Sequence, residues 1–234
     1  MTIAIDGPSG SGKSSVSRAV ARRLGLRYLD TGAMFRAVTW WCVEHGFDLG
    51  DLDGVARAAD GMQLRMGTDP VDPAVEVDGQ RVDAPLRTAQ VSARVSRVAT
   101  NPQVRSTLAQ QQRRIIADAR RCGGIVVEGR DITTVIAPDA EYRVLLSASE
   151  EARLHRRAAE LQAQGQEQEA EQLRDQVLRR DRDDATVSDF QAPAAGVHGI
   201  DTSALTFEEA VAAVVAVVQT ADPSADNPTP DGGP

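Results

Sequence analysis

The sequence predicts an α/β fold: a parallel sheet flanked by helices, with a small antiparallel β insertion and a helical hairpin. Three observations predict it. The runs "TIAI" (2–5), "IVVE" (125–128) and "YRVLLSA" (142–148) are mainly apolar rather than alternating, as expected of parallel strands covered on both faces. Helical periodicity separates these runs. Between about residues 60 and 86 the pattern changes to short alternating stretches around an Asp-Gly pair.

The elements follow in order. "TIAI" is a short buried strand. Lys13 to Leu24 carries Val16, Ala19, Val20 and Leu24 on one face and stops at Gly25, so it reads as a helix. "RYLD" is a second strand, and "GAMFRAVTWWCVEHG" a second helix ending at Gly46. From about Leu52 the character changes, and "MQLRM", "AVEV" and "QRV" form an antiparallel unit with a two-residue turn at Asp78-Gly79. Helical signals resume at Thr88 with Val91, Val95 and Val98 in step. Asn101-Pro102 breaks that helix and starts a longer one through Arg121, which Gly123-Gly124 ends. Ser149 is placed to cap the next helix. Residues 150–184 are charged and Gln-rich with a break near Gly165, and read as two solvent-exposed helices in a hairpin. "HGIDT" is a last strand, and Thr206 with Glu209 makes a capping box for a final Ala/Val helix. The tail 221–234, rich in Pro, Gly and Asp, is expected to be disordered. Residues 1–220 thus form one domain, with an insertion at about 60–86 and the hairpin at about 153–184.

Composition limits the function. With a formal net charge of −8 and a pI near 5.0, the chain has no global positive field to hold a nucleic acid or an anionic membrane. Phosphate recognition must therefore be local. No run of 18 apolar residues occurs and a strand-like segment follows Met1 directly, so a cytoplasmic protein without a membrane segment is expected. Cys42 and Cys122 are too few for a disulfide framework, and each is expected to be a buried free thiol. With His45, His155 and His198 standing alone, a zinc site is not expected.

The stretch "IDGPSGSGKSS" (5–15) holds the only lysine of the chain; the other 25 of its 26 basic residues are arginine. Gly7, Pro8, Ser9, Gly10, Ser11, Gly12, Lys13 and Ser14 satisfy the phosphate-loop pattern, after a strand and at a helix N-terminus, where the mechanism needs it. Glycines let consecutive N–H groups curl around a phosphate, the helix dipole adds positive potential, and the Ser14 hydroxyl can ligand Mg²⁺. A compact ammonium on a flexible stem reaches between phosphates inside a tight loop where a planar guanidinium is too wide, which explains the isolated lysine.

A phosphate loop leaves a small-molecule kinase, a GTPase-type switch and a noncatalytic nucleotide-binding module in competition. The Asn-Lys-x-Asp stretch that reads guanine is impossible in a chain whose only lysine is Lys13. A binding module would not need a second anion site, so arginines outside the loop discriminate. Arg36 in "DTGAMFR", Arg130 and Asp131 in "VVEGRD" after a strand, and Arg105 near the Pro102 helix start all lie where phosphate ligands belong.

The segments "IDGPSGSGKSS", "YLDTGAMFR", "PLRTAQVSARVSRVATNPQVR", "VVEGRDITTVIAPDA" and "RRDRDD", in that order, resemble the bacterial cytidylate kinases, P-loop nucleoside monophosphate kinases. The resemblance spans Thr2 to about Val218. It implies a helical lid, an acceptor-binding insertion, ATP and Mg²⁺ as co-substrate and cofactor, CMP or dCMP as acceptor, and a monomer. It assigns Gly7 to Ser15 to the ATP phosphates. Arg36 and Arg130 match acceptor-phosphate residues, Thr31 falls among the substrate-binding residues, and Ser96, Arg105 and Asp131 match residues that read cytosine. Arg180 matches an arginine spanning the phosphates and Asp184 an aspartate holding the ribose hydroxyls. Lys13, Arg130 and Arg180 would be the catalytic cations, and Arg153, Arg156 and Arg157 candidate lid contacts to ATP, drawn down by its charge. Cytosine offers an amino donor, an unprotonated ring nitrogen and a carbonyl, which a carboxylate and an arginine complement.

Two positions depart from the pattern. Thr133 stands where the family has glycine, and Val187 replaces the last arginine of Arg-Asp-x-x-Asp-x-x-Arg. If the helix continues through 187, the absent guanidinium would share a face with Arg180, and Val187→Arg is expected to raise kcat/KM.

Overall fold

The computed structural model describes residues 1–163 and 169–220; the tail and the expected break near Gly165 lie outside them. The first half holds β1 (Thr2–Asp6), α1 (Lys13–Leu24), β2 (Arg27–Asp30), α2 (Thr31–Glu44), α3 (Leu52–Gly61), β3 (Leu64–Met66), β4 (Val75–Val77) and β5 (Gln80–Arg81). Then come α4 (Ala89–Ala99), α5 (Pro102–Arg120), β6 (Ile125–Gly129), β7 (Tyr142–Ser147), α6 (Glu150–Ala163), α7 (Ala170–Ala185), β8 (His198–Asp201) and α8 (Phe207–Thr220).

Five parallel strands lie in the order β2-β6-β1-β7-β8, which puts β1 at the centre, with every residue buried. Parallel pairing aligns Thr2 to Asp6 with Ile125 to Gly129, and Ile3 to Asp6 with Tyr142 to Leu145. All the strand ends that carry chemistry therefore emerge on one edge. One face packs Ile3, Ile5 and Val126 against Val16 and Val20 of α1 and Val211 and Val214 of α8. The other packs Ala4, Leu29 and Val127 against α2, α3, α4 and α5. This is the covered sheet that the apolar runs predict.

The antiparallel sheet β3-β4-β5 forms as expected, with Val77 paired to Gln80 across Asp78-Gly79. Both turn residues have positive φ, 52° and 79°, as a type I′ hairpin requires. Several caps also form where the sequence puts them: Ser149 Oγ accepts from the Ala152 N–H at 3.2 Å, Asn101 Oδ1 from Gln103 at 3.0 Å, and Thr206 and Glu209 exchange the capping-box bonds.

Two expectations are corrected, and one helix appears where the sequence pattern assigns no element. Leu52–Gly61 is helical and only its last residues overlap the expected start of the insertion near 60: Asp51 caps α3 through the Gly54 N–H, and its buried face is Val55 with Ala56, Ala58 and Ala59. Alanines are too small to register as an apolar stripe. Cys122 is exposed, following the end of α5, whereas Cys42 is buried in the core and its thiol is pushed up to about 11 by burial. The hairpin α6–α7 is not solvated on all sides, since Leu161, Leu173 and Val177 pack together with Leu154, and Arg153 and Asp184 are buried.

After β6 the chain makes a π-helical turn, Ile132–Ile136, tied to the end of β1. The buried Asp6 carboxylate accepts from the N–H groups of Ile132 (2.9 Å) and Thr133 (2.8 Å) and from the Thr133 hydroxyl (2.7 Å). Burial pushes the Asp6 carboxyl up and these three bonds oppose that shift. Thr133, the departure from the family pattern, thus supplies a third donor that glycine lacks. Thr133→Val keeps the shape and removes the donor, so urea unfolding should report a loss of about 1.5–3 kcal/mol, the range for a bond to a buried charge.

Candidate active site

Between β1 and α1 the phosphate loop turns on glycines with left-handed backbone, Gly10 at φ 77° and Gly12 at φ 85°. At Gly10 a Cβ would also meet the Arg153 carbonyl at 2.9 Å, so the loop and α6 touch backbone to backbone. Lys13 opens α1, and its Nζ lies 3.9 Å from Oε2 of Glu128 in β6. Glu128 is only 2% exposed; the Tyr28 hydroxyl donates to it at 3.0 Å and the Ser14 side chain also bonds to it. Burial, assisted by the Arg130 charge, lowers Lys13 from its ordinary 10.5 to about 8, with Glu128 opposing. Burial raises Glu128, and the nearby Asp30 adds to this.

Across the cleft lies a second set of groups. Arg36, on α2, donates through Nη1 to the Leu86 carbonyl (3.1 Å) and to Ser92 Oγ (2.9 Å). Burial and the Arg180 charge bring it down to about 9, so it is still cationic at neutral pH. Arg105, in the first turn of α5, meets Asp131, just after β6, at 2.5 Å. Burial raises the Asp131 carboxyl and Arg105 opposes that rise. The Thr31 hydroxyl donates to the Glu128 carbonyl at 2.8 Å.

The hairpin closes a third side. Arg130 donates from Nη1 to the Gly7 carbonyl at 2.8 Å; its Nε lies 2.9 Å from Asp184 and its Nη2 3.2 Å from Asp181. Its guanidinium carbon lies over the buried Phe190 ring, 4.5 Å from the centroid. Asp181 also accepts from the Ser9 N–H at 3.0 Å and pairs with Arg153, which donates to the Ser9 carbonyl at 3.0 Å. Arg156 bonds the Ser11 carbonyl at 3.3 Å and Thr202 Oγ1 at 3.0 Å. Arg180 is half-buried, desolvation lowers its pKa, and its Nε lies 3.7 Å from Asp184.

One cleft of about 720 Å³ joins these three sides, and Lys13, Arg36, Arg105, Asp131, Arg180 and Asp184 all line it. Ser9 to Ser15, Thr31, Arg130, Arg156 and Arg157 line it too, and the Gly7 carbonyl holds Arg130 beside it. Ser96 does not line the cleft; Ser92, one turn earlier on α4, does and receives the Arg36 bond. The expected face shared by positions 180 and 187 is not formed, because α7 ends at Ala185. The premise for a gain from Val187→Arg is therefore withdrawn. The charge drawing the hairpin down was expected from ATP; the hairpin carries its own in Asp181 and Asp184.

Sequence reasoning missed Glu128, Asp30, Asp181, Ser188 and Phe190. Glu128 had a signal, an ionisable residue inside an apolar strand run. Asp30 had one as the residue before a helix, where it caps Ala33 at 2.9 Å. Phe190, 60 residues from Arg130 in the chain, had none.

A phosphate loop at the carboxyl edge of a parallel sheet, facing half-buried arginines across a cleft, defines a P-loop phosphotransferase whose acceptor is itself anionic. The family model described as cytidylate kinase matches residues 3–220. Similar proteins include the cytidylate kinases of Streptomyces avermitilis, 44% identical over 93% of this chain and 92% of that protein, and of Cutibacterium acnes, 46% identical over 93% and 96%. That of Nocardia farcinica is 46% identical over 90% of each chain. The chain belongs to the cytidylate kinase family.

The lowered Lys13 sets a pH dependence. Its ammonium is lost as pH rises through about 8 rather than 10.5, so kcat/KM for ATP should fall above pH 8 with an apparent pKa well below that of a free lysine. Lys13→Arg should abolish that limb in a pH-rate profile and retain under a tenth of wild-type kcat, because shape within the loop decides.

Proposed function

We propose that this chain transfers the γ-phosphoryl group of ATP to the phosphate of CMP or dCMP, giving ADP and CDP or dCDP. The observation that carries the acceptor reading is the Arg105–Asp131 pair at 2.5 Å, lining the same cleft as Lys13. A carboxylate accepting from the cytosine amino group and an arginine donating to its ring nitrogen and carbonyl form a complementary set. Uracil would turn a carbonyl toward Asp131. That mismatch costs roughly 1–3 kcal/mol.

The acceptor nucleophile is a phosphate oxygen already ionised at neutral pH, so no general base is required. The chain's part is to bring two polyanions into line and offset their charge. In this reading the phosphate loop and Lys13 hold the donor phosphates, Arg36 and Arg130 grip the acceptor phosphate, and Arg180 spans the two. Asp184 holds the ribose hydroxyls, and α6–α7 excludes water as a lid. Arg130 exchanges its bonds to Asp181 and Asp184 for phosphate oxygens, which are stronger acceptors of the same kind.

The site suits Mg²⁺. Ser14 and the neighbouring carboxylates Glu128 and Asp30 present only oxygen donors, and burial has raised Glu128 as expected of an acid that a cation would relieve. Among the described residues no cluster of three or more His, Cys, Asp or Glu could hold a metal alone, and Ser14 is the residue that would hold Mg²⁺. Bound there, Mg²⁺ would offset charge on the transferring phosphoryl group. No described helix is long and apolar enough to cross a membrane, and the reading takes the protein as a cytoplasmic monomer.

An ADP-release assay with ATP and each of CMP, dCMP, UMP, AMP and GMP tests the acceptor. Turnover is expected with the two cytidine nucleotides first, and activity confined to AMP or GMP would sink the cytidylate reading. Asp131→Ala should lower kcat/KM for CMP at least tenfold with KM for ATP changed less than twofold. Equal losses for both substrates would show that Asp131 supports the fold instead.

A further inference from the structure

Position 187, where the family motif ends in arginine, does something else here. The helix that carries Arg180, Asp181 and Asp184 stops at Ala185, and the chain turns through Thr186, whose hydroxyl donates to the Asp183 carbonyl. The turn brings the next two residues against Arg105. The two hydrogens of Arg105 Nη2 are shared among three acceptors, the Val187 carbonyl at 3.3 Å, Ser188 Oγ at 3.2 Å and Asp131 at 2.5 Å. On the other side of the guanidinium, Nη1 donates to the Ala99 carbonyl at 3.2 Å. Both terminal nitrogens are thus anchored, one by the end of α4 and the other by the segment after α7.

We propose that Ser188 is a positioning residue for base selection: its hydroxyl, with the Val187 carbonyl, fixes Arg105 against Asp131 and so ties acceptor-base reading to the seating of the lid. The proposal rests on the cytidine reading above. A guanidinium held by Asp131 alone could pivot about that contact, because a single ion pair fixes distance but not the plane of the fork. Acceptors on two further elements fix the plane. Discrimination between cytosine and uracil requires that plane, since the two bases differ only in which edge atoms donate and which accept. Two of these anchors follow α7 directly, and α7 supplies Asp181 and Asp184 to Arg130, the residue before Asp131. Moving the lid therefore moves the support of the base reader. Val187 takes part through its backbone carbonyl, an acceptor that any residue at this position supplies.

The test compares wild type, Ser188→Ala and Ser188→Thr, using calorimetric binding of CMP and steady-state kinetics with CMP, UMP and ATP. Ser188→Ala is expected to weaken CMP binding about three- to tenfold, the effect of one lost hydrogen bond, and to reduce the CMP-to-UMP ratio of kcat/KM by at least threefold. KM for ATP should stay within twofold, and Ser188→Thr, which restores a hydroxyl, should restore the ratio. An unchanged ratio and unchanged CMP affinity in Ser188→Ala overturns the proposal. So does a loss that is equal for ATP and CMP and is not rescued by threonine, which marks a merely structural residue. A wild type that phosphorylates no cytidine nucleotide overturns the acceptor reading itself, and is told apart because it appears before any substitution is made.

Discussion

The parallel pairing of β1 with β6 is the constraint on which the site depends. Its register sets Asp6 opposite Gly129, so the phosphate loop and the Gly129-Arg130-Asp131 segment leave the sheet side by side. The 2.8 Å bond from Arg130 to the Gly7 carbonyl is a direct consequence. So is the use of Asp6, whose buried carboxylate collects three donors from the turn beyond Asp131 and fixes the direction in which that segment departs. A slip of one residue would reverse every side chain on β6, turning Glu128 away from Lys13 and moving Val127 into the opposite packed face. The phosphate loop and the Arg130-Asp131 segment are thus held by one ladder of backbone hydrogen bonds.

Charge is the second constraint. The chain as a whole is acidic, yet it concentrates Lys13, Arg36, Arg130 and Arg180 around one cleft. Burial and mutual repulsion lower Lys13, Arg36 and Arg180, so these groups are held at a cost that an incoming polyanion relieves. Asp181 and Asp184 moderate the repulsion from within the fold. Both are on α7, both reach Arg130, and Asp181 also takes an N–H of the phosphate loop. The hairpin is therefore bound by the kind of interaction that phosphate makes, and substrate can compete with it on equal chemical terms.

Much of this was legible in the sequence. The covered strands, the phosphate loop and the Asp-Gly hairpin depend on local pattern, and each formed where the pattern put it. The helix α3 did not show because its buried face is alanine, and the buried side of α6–α7 did not show because three apolar contacts sit among many charges. In the site, residue types within quoted motifs pointed correctly to Lys13, Arg36, Arg105, Arg130 and Asp131 as members of one cleft. What could not be read was pairing across the chain. Arg130 finds Phe190, Ser9 finds Asp181, and Arg105 finds Ser188 at separations of 60, 172 and 83 residues, and no spacing rule reaches that far. Ser96 shows the converse limit: a helical position carried over from a motif can be one turn from the residue that lines the cleft.

The single lysine takes on a fuller meaning in this setting. Arginine keeps its charge under burial, and a delocalised guanidinium tolerates stacking and several simultaneous acceptors, as Arg130 does with Phe190, Gly7, Asp181 and Asp184. Those properties suit the walls of the cleft, where groups must be fixed in a plane. Lys13 has another position to fill. It lies at the first residue of α1 with Glu128 3.9 Å away, where a compact ammonium on a flexible stem can turn toward a phosphate oxygen that enters. Lys13 also starts from the lower ordinary value, so desolvation and the neighbouring cations bring it to about 8, while Arg36 comes down from a higher start to about 9. Glu128 offsets part of that fall. A buried carboxylate beneath the phosphate loop is therefore a means of keeping the one mobile cation charged at neutral pH until phosphate takes over the task.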